Sequence, residues 1–177
     1  MNELPPIVQA NESQLESAWL VIDRCRAALN DVGILQWDDI YPTRGTVAED
    51  IARRSLYVLA FDGTCHATVT LDAKQDDLYR AVPWTTPEPA LVVHRLCVDP
   101  ASQGRGYARQ VMDFVEAYAE REQYCSIRLD AYSGNPLAVA LYRRRGYREA
   151  GQLMFPRRSL PFHLFERAVA PVSRAST

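Results

Sequence analysis

The sequence is poor in the residues that build metal centres, and it lacks long apolar runs. Its three histidines, His66, His94 and His163, show no HExxH and no paired spacing, which speaks against a metal site. The four cysteines, Cys25, Cys65, Cys97 and Cys125, lie far apart in apolar segments with no CxxC pair, so they read as buried reduced thiols. No apolar run approaches the roughly 18–20 residues of a membrane span. The stretch MNELPPIVQANESQ has neither a basic flank nor an apolar core. It does not read as a signal peptide, and a cytoplasmic location is expected. Net charge is -2 and pI about 5.9, which gives no electrostatic case for nucleic acid but leaves room for a local basic pocket. There is no internal repeat and no low-complexity segment.

The 177 residues, 47% hydrophobic and 24% charged, suit one globular domain over 1–167 with a small, polar, disordered tail over 168–177. PPIVQA (5–10) reads as a first strand. NESQ then caps a helix to about Asn30, with Leu15, Ala18, Trp19, Ile22, Arg26 and Leu29 on one stripe. TVAEDIARR (46–54) reads as a second helix capped by Thr46. SLYVLAF (55–61), DGT and CHATVTL (65–71) form a hairpin. A polar loop follows, with a helical turn at 76–80. ALVVHRLCV (90–98) is nearly all apolar, as a strand buried on both faces should be. A strong helix spans 102–122, a strand 125–132, and a helix capped by Asn135 spans 135–145. Strands 147–155 and 161–169 close the chain as antiparallel neighbours. The order predicts an α/β (α+β) chain whose central sheet of about six to seven strands has helices on both faces. Strands 90–98 and 125–132 are joined by one crossover and should be parallel.

The stretch LCVDPASQGRGYARQ (96–110) sets strand, glycine turn and helix start in a row. A dinucleotide fingerprint would need glycine at position 109, where Arg109 stands, and a P-loop would need Lys-Ser/Thr in place of Tyr107-Ala108. Both motifs fail, yet the physics still favours an anion. The first N–H groups of a helix have no internal partner, and the macrodipole places positive charge there. Gly104 and Gly106 clear the approach to the backbone, and Arg105 and Arg109 add charge. The plainer reading is a turn needed only for chain reversal.

A second constellation lies in GNPLAVALYRRRGY (134–147). At about 100° per residue, Asn135, Ala138 and Tyr142 share one stripe of the helix, while Leu137, Ala140 and Leu141 are free to pack on the sheet. Taken alone, Tyr142 is as readily an amphipathic core residue as a proton donor.

Together the two stretches resemble the GNAT superfamily of N-acetyltransferases. Its pattern is a strand, Q/R-x-x-G-x-G/A opening a helix, a further strand, then N-x-x-A-x-x-x-Y-x-x-x-G-F/Y. Gln103, Gly106 and Ala108 match the first half; Asn135, Ala138, Tyr142, Gly146 and Tyr147 match the second. The resemblance implies acetyl-CoA as co-substrate and no metal. It places the pyrophosphate on the N–H groups of Gln103, Gly104, Arg105, Gly106, Tyr107, Ala108 and Arg109. It splays strand 90–98 from strand 125–132 and lays the pantetheine arm along Leu96, Cys97 and Val98, whose backbone also polarises the thioester. Asn135 then contacts the arm, Ala138 lets it pass, and Tyr142 protonates the leaving thiolate. The expected reaction is direct attack by a neutral amine through a tetrahedral oxyanion.

The base that frees the amine is open among His94, Asp130 and Glu88, with His94 ranked first. Acceptor recognition falls to Trp37, Asp38 and Tyr41, with Asp39, Trp84 and the hairpin holding Arg157 and Arg158 as further candidates. The acceptor would be a primary amine of a small molecule or peptide; homodimerisation, common in the family, is a further expectation. A reading from another class is a non-catalytic acetyl-CoA-binding sensor, and a third is a different acyl donor.

Overall fold

The computed structural model describes residues 5–170. Its strands are β1 (Ile7–Gln9), β2 (Leu56–Phe61), β3 (Thr64–Asp72), β4 (Ala90–Val98), β5 (Ser126–Tyr132), β6 (Arg148–Leu153) and β7 (Phe162–Ala168). Its helices are α1 (Leu15–Asp31), α2 (Arg44–Ala52), α3 (Tyr107–Arg121) and α4 (Pro136–Arg144). The seven strands join in one mixed, mostly antiparallel sheet in the order β1-β2-β3-β4-β5-β7-β6. The insertion of β7 between β5 and β6 was not anticipated from the sequence.

By packing the chain divides into two compact units. One holds the residues up to Leu71 with His94–Phe114, the other Asp72–Val93 with the residues from Val115 onward. Both β4 and α3 contribute to each.

In the first unit, Asn11 opens the chain's first helical turn with a capping box, its side chain taking the Ser13 N–H while Gln14 returns to the Asn11 N–H. Such a cap contributes about 1 kcal/mol. The buried stripe of α1 is Ala18, Val21, Ile22 and Cys25, at i, i+3, i+4 and i+7. The cap of α2 is Thr43 rather than Thr46. Thr46 sits three residues into the motif and closes its box by accepting from the Thr43 N–H, so the helix begins at Arg44.

The β2–β3 hairpin turns through Asp62 (φ 51°) and Gly63 (φ 73°), the paired left-handed residues that match strand twist. Its register slips once. Leu59 faces Ala67 and Ala60 faces Cys65, so His66 is an extra residue on β3, a β-bulge. A second irregularity is Arg95, left-handed at φ 48° inside β4. Its guanidinium reaches Asp50 on α2 (Nε to Oδ2 2.9 Å, Nη2 to Oδ2 2.5 Å) and Tyr41 Oη (2.5 Å), and Thr70 Oγ1 donates to the same Asp50 oxygen.

In the second unit, β4 and β5 pair in parallel from Ala90 opposite Ser126 to Val93 opposite Leu129. Ala90, Leu91, Val92 and Val93 are all buried, as their unbroken apolar run requires. On β5, alternation sets Ser126, Arg128, Asp130 and Tyr132 on one face and Ile127, Leu129 and Ala131 on the other. The polar set holds the loop between β3 and β4. Ser126 donates to the Pro87 carbonyl, and Arg128 reaches Gln75, Glu88 and the Thr86 carbonyl. Buried Tyr79 donates to Asp130 at 2.5 Å. Opposite Arg128 on β7, buried Glu166 accepts from the N–H and hydroxyl groups of Thr85 and Thr86 and from Arg148.

Glu149 on β6 yields a pH prediction. Its partial burial pushes the carboxyl up, but hydrogen bonds from His163, Arg143 and Gln152 more than offset that and bring it to about 2. The folded value lies below the unfolded value near about 4.3. Its stabilisation is therefore present above about pH 4.5 and is lost as pH falls toward 2. Glu149 is about a third exposed, and solvent screening reduces the effect to about 1 kcal/mol. Glu149→Gln should lower the melting temperature by about 2–4 °C at pH 6. In a pH series of thermal melts, that gap should narrow below pH 4.

Of the tail expected over 168–177, the first residues belong to the folded chain. Ala168 ends β7, and the Val169 N–H donates to the Cys125 carbonyl at 3.0 Å. Residues from 171 on lie outside the described residues.

Candidate functional site

Past Val98 the chain enters a short 3-10 turn, Pro100–Ser102, capped by Asp99. Buried Asp99 accepts from the Ala101 N–H at 2.9 Å and from Arg24 at 3.1 Å. Gln103 then runs extended, Gly104 (φ 78°) and Gly106 (φ 82°) are left-handed, and α3 starts only at Tyr107. The helix expected from residue 102 is thus five residues shorter at its start, because two left-handed glycines cannot continue a right-handed helix.

A Cβ added at Gly104 or Gly106 would meet no heavy atom within 4 Å. Glycine is needed for backbone conformation, and the space above it is open. The N–H groups of Gly106, Tyr107, Ala108 and Arg109 meet no acceptor among the described residues, and they lie at the positive end of a 15-residue helix. Arg105 and Arg109 are exposed and pair with no carboxylate among the described residues. Open space, N–H groups and positive charge at one turn are the chemistry that suits an anion.

At the end of β4, Leu96 is half-buried, and Cys97 and Val98 are buried. The Val98 carbonyl already accepts from the Cys25 thiol (3.1 Å) and from Gln103 Nε2 (3.3 Å). Cys97 Sγ lies 3.2 Å from Thr68 Oγ1. The hydrogen bond with Cys97, then burial, drives the Cys25 thiol far above its usual range, and burial followed by the Cys97 charge pushes Cys65 up to about 12. Thiols held this way stay protonated and unreactive.

On α4, Asn135 is the N-cap, its Oδ1 accepting from the Ala138 N–H at 3.2 Å. Ala138 is half-buried and Tyr142 buried, with Tyr147 and Phe165 rings at 6.0 and 5.9 Å. Burial, and then the charge of Asp130, pushes the Tyr142 phenol well above its ordinary range. Its hydroxyl makes no hydrogen bond among the described residues. Leu137, expected against the sheet, is 82% exposed; Val139 takes that place, three residues before Tyr142 on the buried face.

His94 is half-buried on β4 beside the left-handed Arg95. Asp130 holds Tyr79, and Glu88 is taken by Arg128, Gln75 and the Ala90 N–H. Asp38 and Tyr41 share one turn, where Asp38 Oδ1 accepts from the Ile40 and Tyr41 N–H groups and Tyr41 Oη meets Arg95. Trp37 instead packs in the core of the first unit, with Ile22, Val47 and Ile51. Trp84 donates to the Tyr79 carbonyl and lies under Arg128, and Asp39, Arg157 and Arg158 lie outside the helices and strands. Among the described residues no cluster of three or more His, Cys, Asp or Glu side chains is placed to hold a metal ion. No helix among them is long and apolar enough to cross a membrane.

Solved structures share the fold. An acetyltransferase of the GNAT family from Streptococcus agalactiae matches at 20% identity and a TM-score of 0.75, over 92% of this chain and 94% of its own. The ribosomal-protein-S18-alanine N-acetyltransferase of Escherichia coli matches at 16% and 0.69, over 97% and 98%. A GNAT acetyltransferase from Listeria monocytogenes matches at 19% and 0.71, over 92% and 94%. No curated protein sequence matches this one. The profile of the acetyltransferase (GNAT) family matches residues 22–147, a span that holds both the glycine turn and α4. The chain belongs to the acetyltransferase (GNAT) family.

Proposed function

We propose that this protein transfers the acetyl group of acetyl-CoA to a primary amine of a small molecule or peptide. The observation that carries the reading is the open glycine turn at the start of α3, with N–H groups and two arginines that are unpaired among the described residues. Those groups suit a pyrophosphate, and residues 103–109 would hold it. Acetyl-CoA supplies an activated acetyl group as a thioester. Main-chain N–H groups near Cys97 would stabilise the charge that develops on the acyl oxygen. His94 is the residue we assign to take a proton from the incoming amine.

Tyr142 is assigned to the leaving sulfur. A phenol held above its ordinary range stays protonated at working pH, whereas a free thiol ionises near about 8.5. Tyr142 therefore stabilises a thiolate chiefly by donating a hydrogen bond, rather than by giving up its proton outright. A hydrogen bond to a charged group is worth about 1.5–3 kcal/mol. Tyr142→Phe should accordingly lower kcat about tenfold to a hundredfold, with the KM for acetyl-CoA little changed. Thiol release from acetyl-CoA across a panel of amines measures it. Coenzyme A binding with no turnover on any amine would overturn the transferase reading, and absence of binding in calorimetry would overturn the donor as well.

A further inference from the structure

We infer that His66 is a positioning residue for the anion-binding turn, a role that rests on the function proposed above. The bulge makes His66 the extra residue of β3, and several contacts converge on it. Its ring stacks on Phe61, with centroids 4.3 Å apart and planes at 24°. Its Nδ1 lies 2.8 Å from Ser102 Oγ, and its ring is 5.7 Å from that of Tyr107. Its carbonyl accepts from the Asp99 N–H at 2.8 Å.

Asp99, Ser102 and Tyr107 bracket the glycine turn, and all three are buried while residues 103–106 between them are exposed. Two glycines give the turn its shape but leave it many alternatives, since glycine confines the backbone least. Contacts at both ends remove those alternatives. His66 supplies a backbone acceptor before the turn, a side-chain partner at its start, and a ring against its end. Bulges recur where a side chain must be re-aimed beside a site, and this one sets a single residue against both flanks of the turn. The ring does not touch reacting atoms; it acts by keeping the N–H groups of residues 106–109 aimed at one place, which lowers the ordering cost of binding.

The test compares acetyl-CoA with S-acetylpantetheine, which carries the same thioester and arm but no pyrophosphate. His66→Leu should raise the KM for acetyl-CoA about five- to tenfold with kcat within about twofold, the size expected for one lost hydrogen bond and some lost order. Its kcat/KM with S-acetylpantetheine should equal that of the wild type. Ser102→Ala should shift the same quantities in the same direction by a smaller factor, and it serves if His66→Leu does not fold. Equal losses on both donors, or no loss on acetyl-CoA in either variant, would overturn the role of His66 and leave the proposed function standing. Wild-type protein that binds no coenzyme A in titration would overturn both.

Discussion

Asp50→Ala should remove about 3–5 kcal/mol of folding stability, the loss expected when one partner of a buried ion pair is deleted. The Arg95 and Asp50 side chains are only 9% and 4% exposed. Burial works to strip the charge from Arg95, and the Tyr41 and Asp50 partners more than offset it, holding the guanidinium above its usual range. Without Asp50 the guanidinium keeps its Tyr41 bond but has no counter-charge, and Thr70 Oγ1 loses its acceptor. Arg95 cannot easily swing away, because its backbone is fixed in a left-handed conformation inside β4 and its carbonyl accepts from Thr68 Oγ1. In urea denaturation the midpoint should fall by about 1.5–2.5 M, taking a slope of about 2 kcal/mol per molar. Adding Arg95→Met to Asp50→Ala should recover much of the loss, since the apolar pair strands no charge. A loss below about 1 kcal/mol in the single variant would show that water reaches the guanidinium and would refute the argument.

Glu166→Ala should cost about 3 kcal/mol and, more tellingly, should free one loop. The Glu166 carboxylate accepts from four groups on Thr85 and Thr86 and also from Arg148. All five donors lie on or near the surface, so water can replace part of what is lost, which keeps the cost below the sum of five charge-assisted bonds. Arg128, directly opposite on β5, would face an apolar methyl while keeping Gln75, Glu88 and the Thr86 carbonyl. The expected signature is therefore regional. Amide exchange should rise at Thr85 and Thr86, whose backbone N–H groups donate to this carboxylate, well before it rises at Ala90 in β4. Uniform exchange across the second unit would mean that Glu166 supports β7 itself rather than the loop.

Much of this was legible in the chain, and the parts that were not share a cause. The run over 90–98, the Asn135 cap and the DG hairpin follow from local chemistry, and each appears with its bounds nearly intact; the buried stripe of α1 keeps Ala18 and Ile22 of the expected set but adds Val21 and Cys25 in place of Arg26 and Leu29. The glycine turn was legible as a motif, but its length was not. Residues 102–106 carry no residue type that forbids a helix outright, and only the left-handed φ of both glycines ends it before Tyr107. Arg95 gave no sign of its left-handed backbone, because the conformation is imposed by Asp50, Tyr41 and Thr68, none of them nearby in sequence. Trp37 could equally have lined a pocket; what decides for the core is its packing against α1 and α2. His66 escaped notice as a site residue because a bulge is a property of two strands, and neither strand announces it alone.

That bulge has a consequence for how the chain tolerates changes in length. Cys65 pairs with Ala60 and Ala67 with Leu59, so deleting the residue between them would leave β2 and β3 an unbroken ladder. The hairpin needs no residue at position 66; it would be more regular without one. A one-residue deletion here, usually ruinous inside a strand because it turns every later side chain to the opposite face, would instead restore the alternation. What such a deletion would remove is the link from β3 to Asp99, Ser102 and Tyr107, so β3 carries one residue whose work lies outside the sheet.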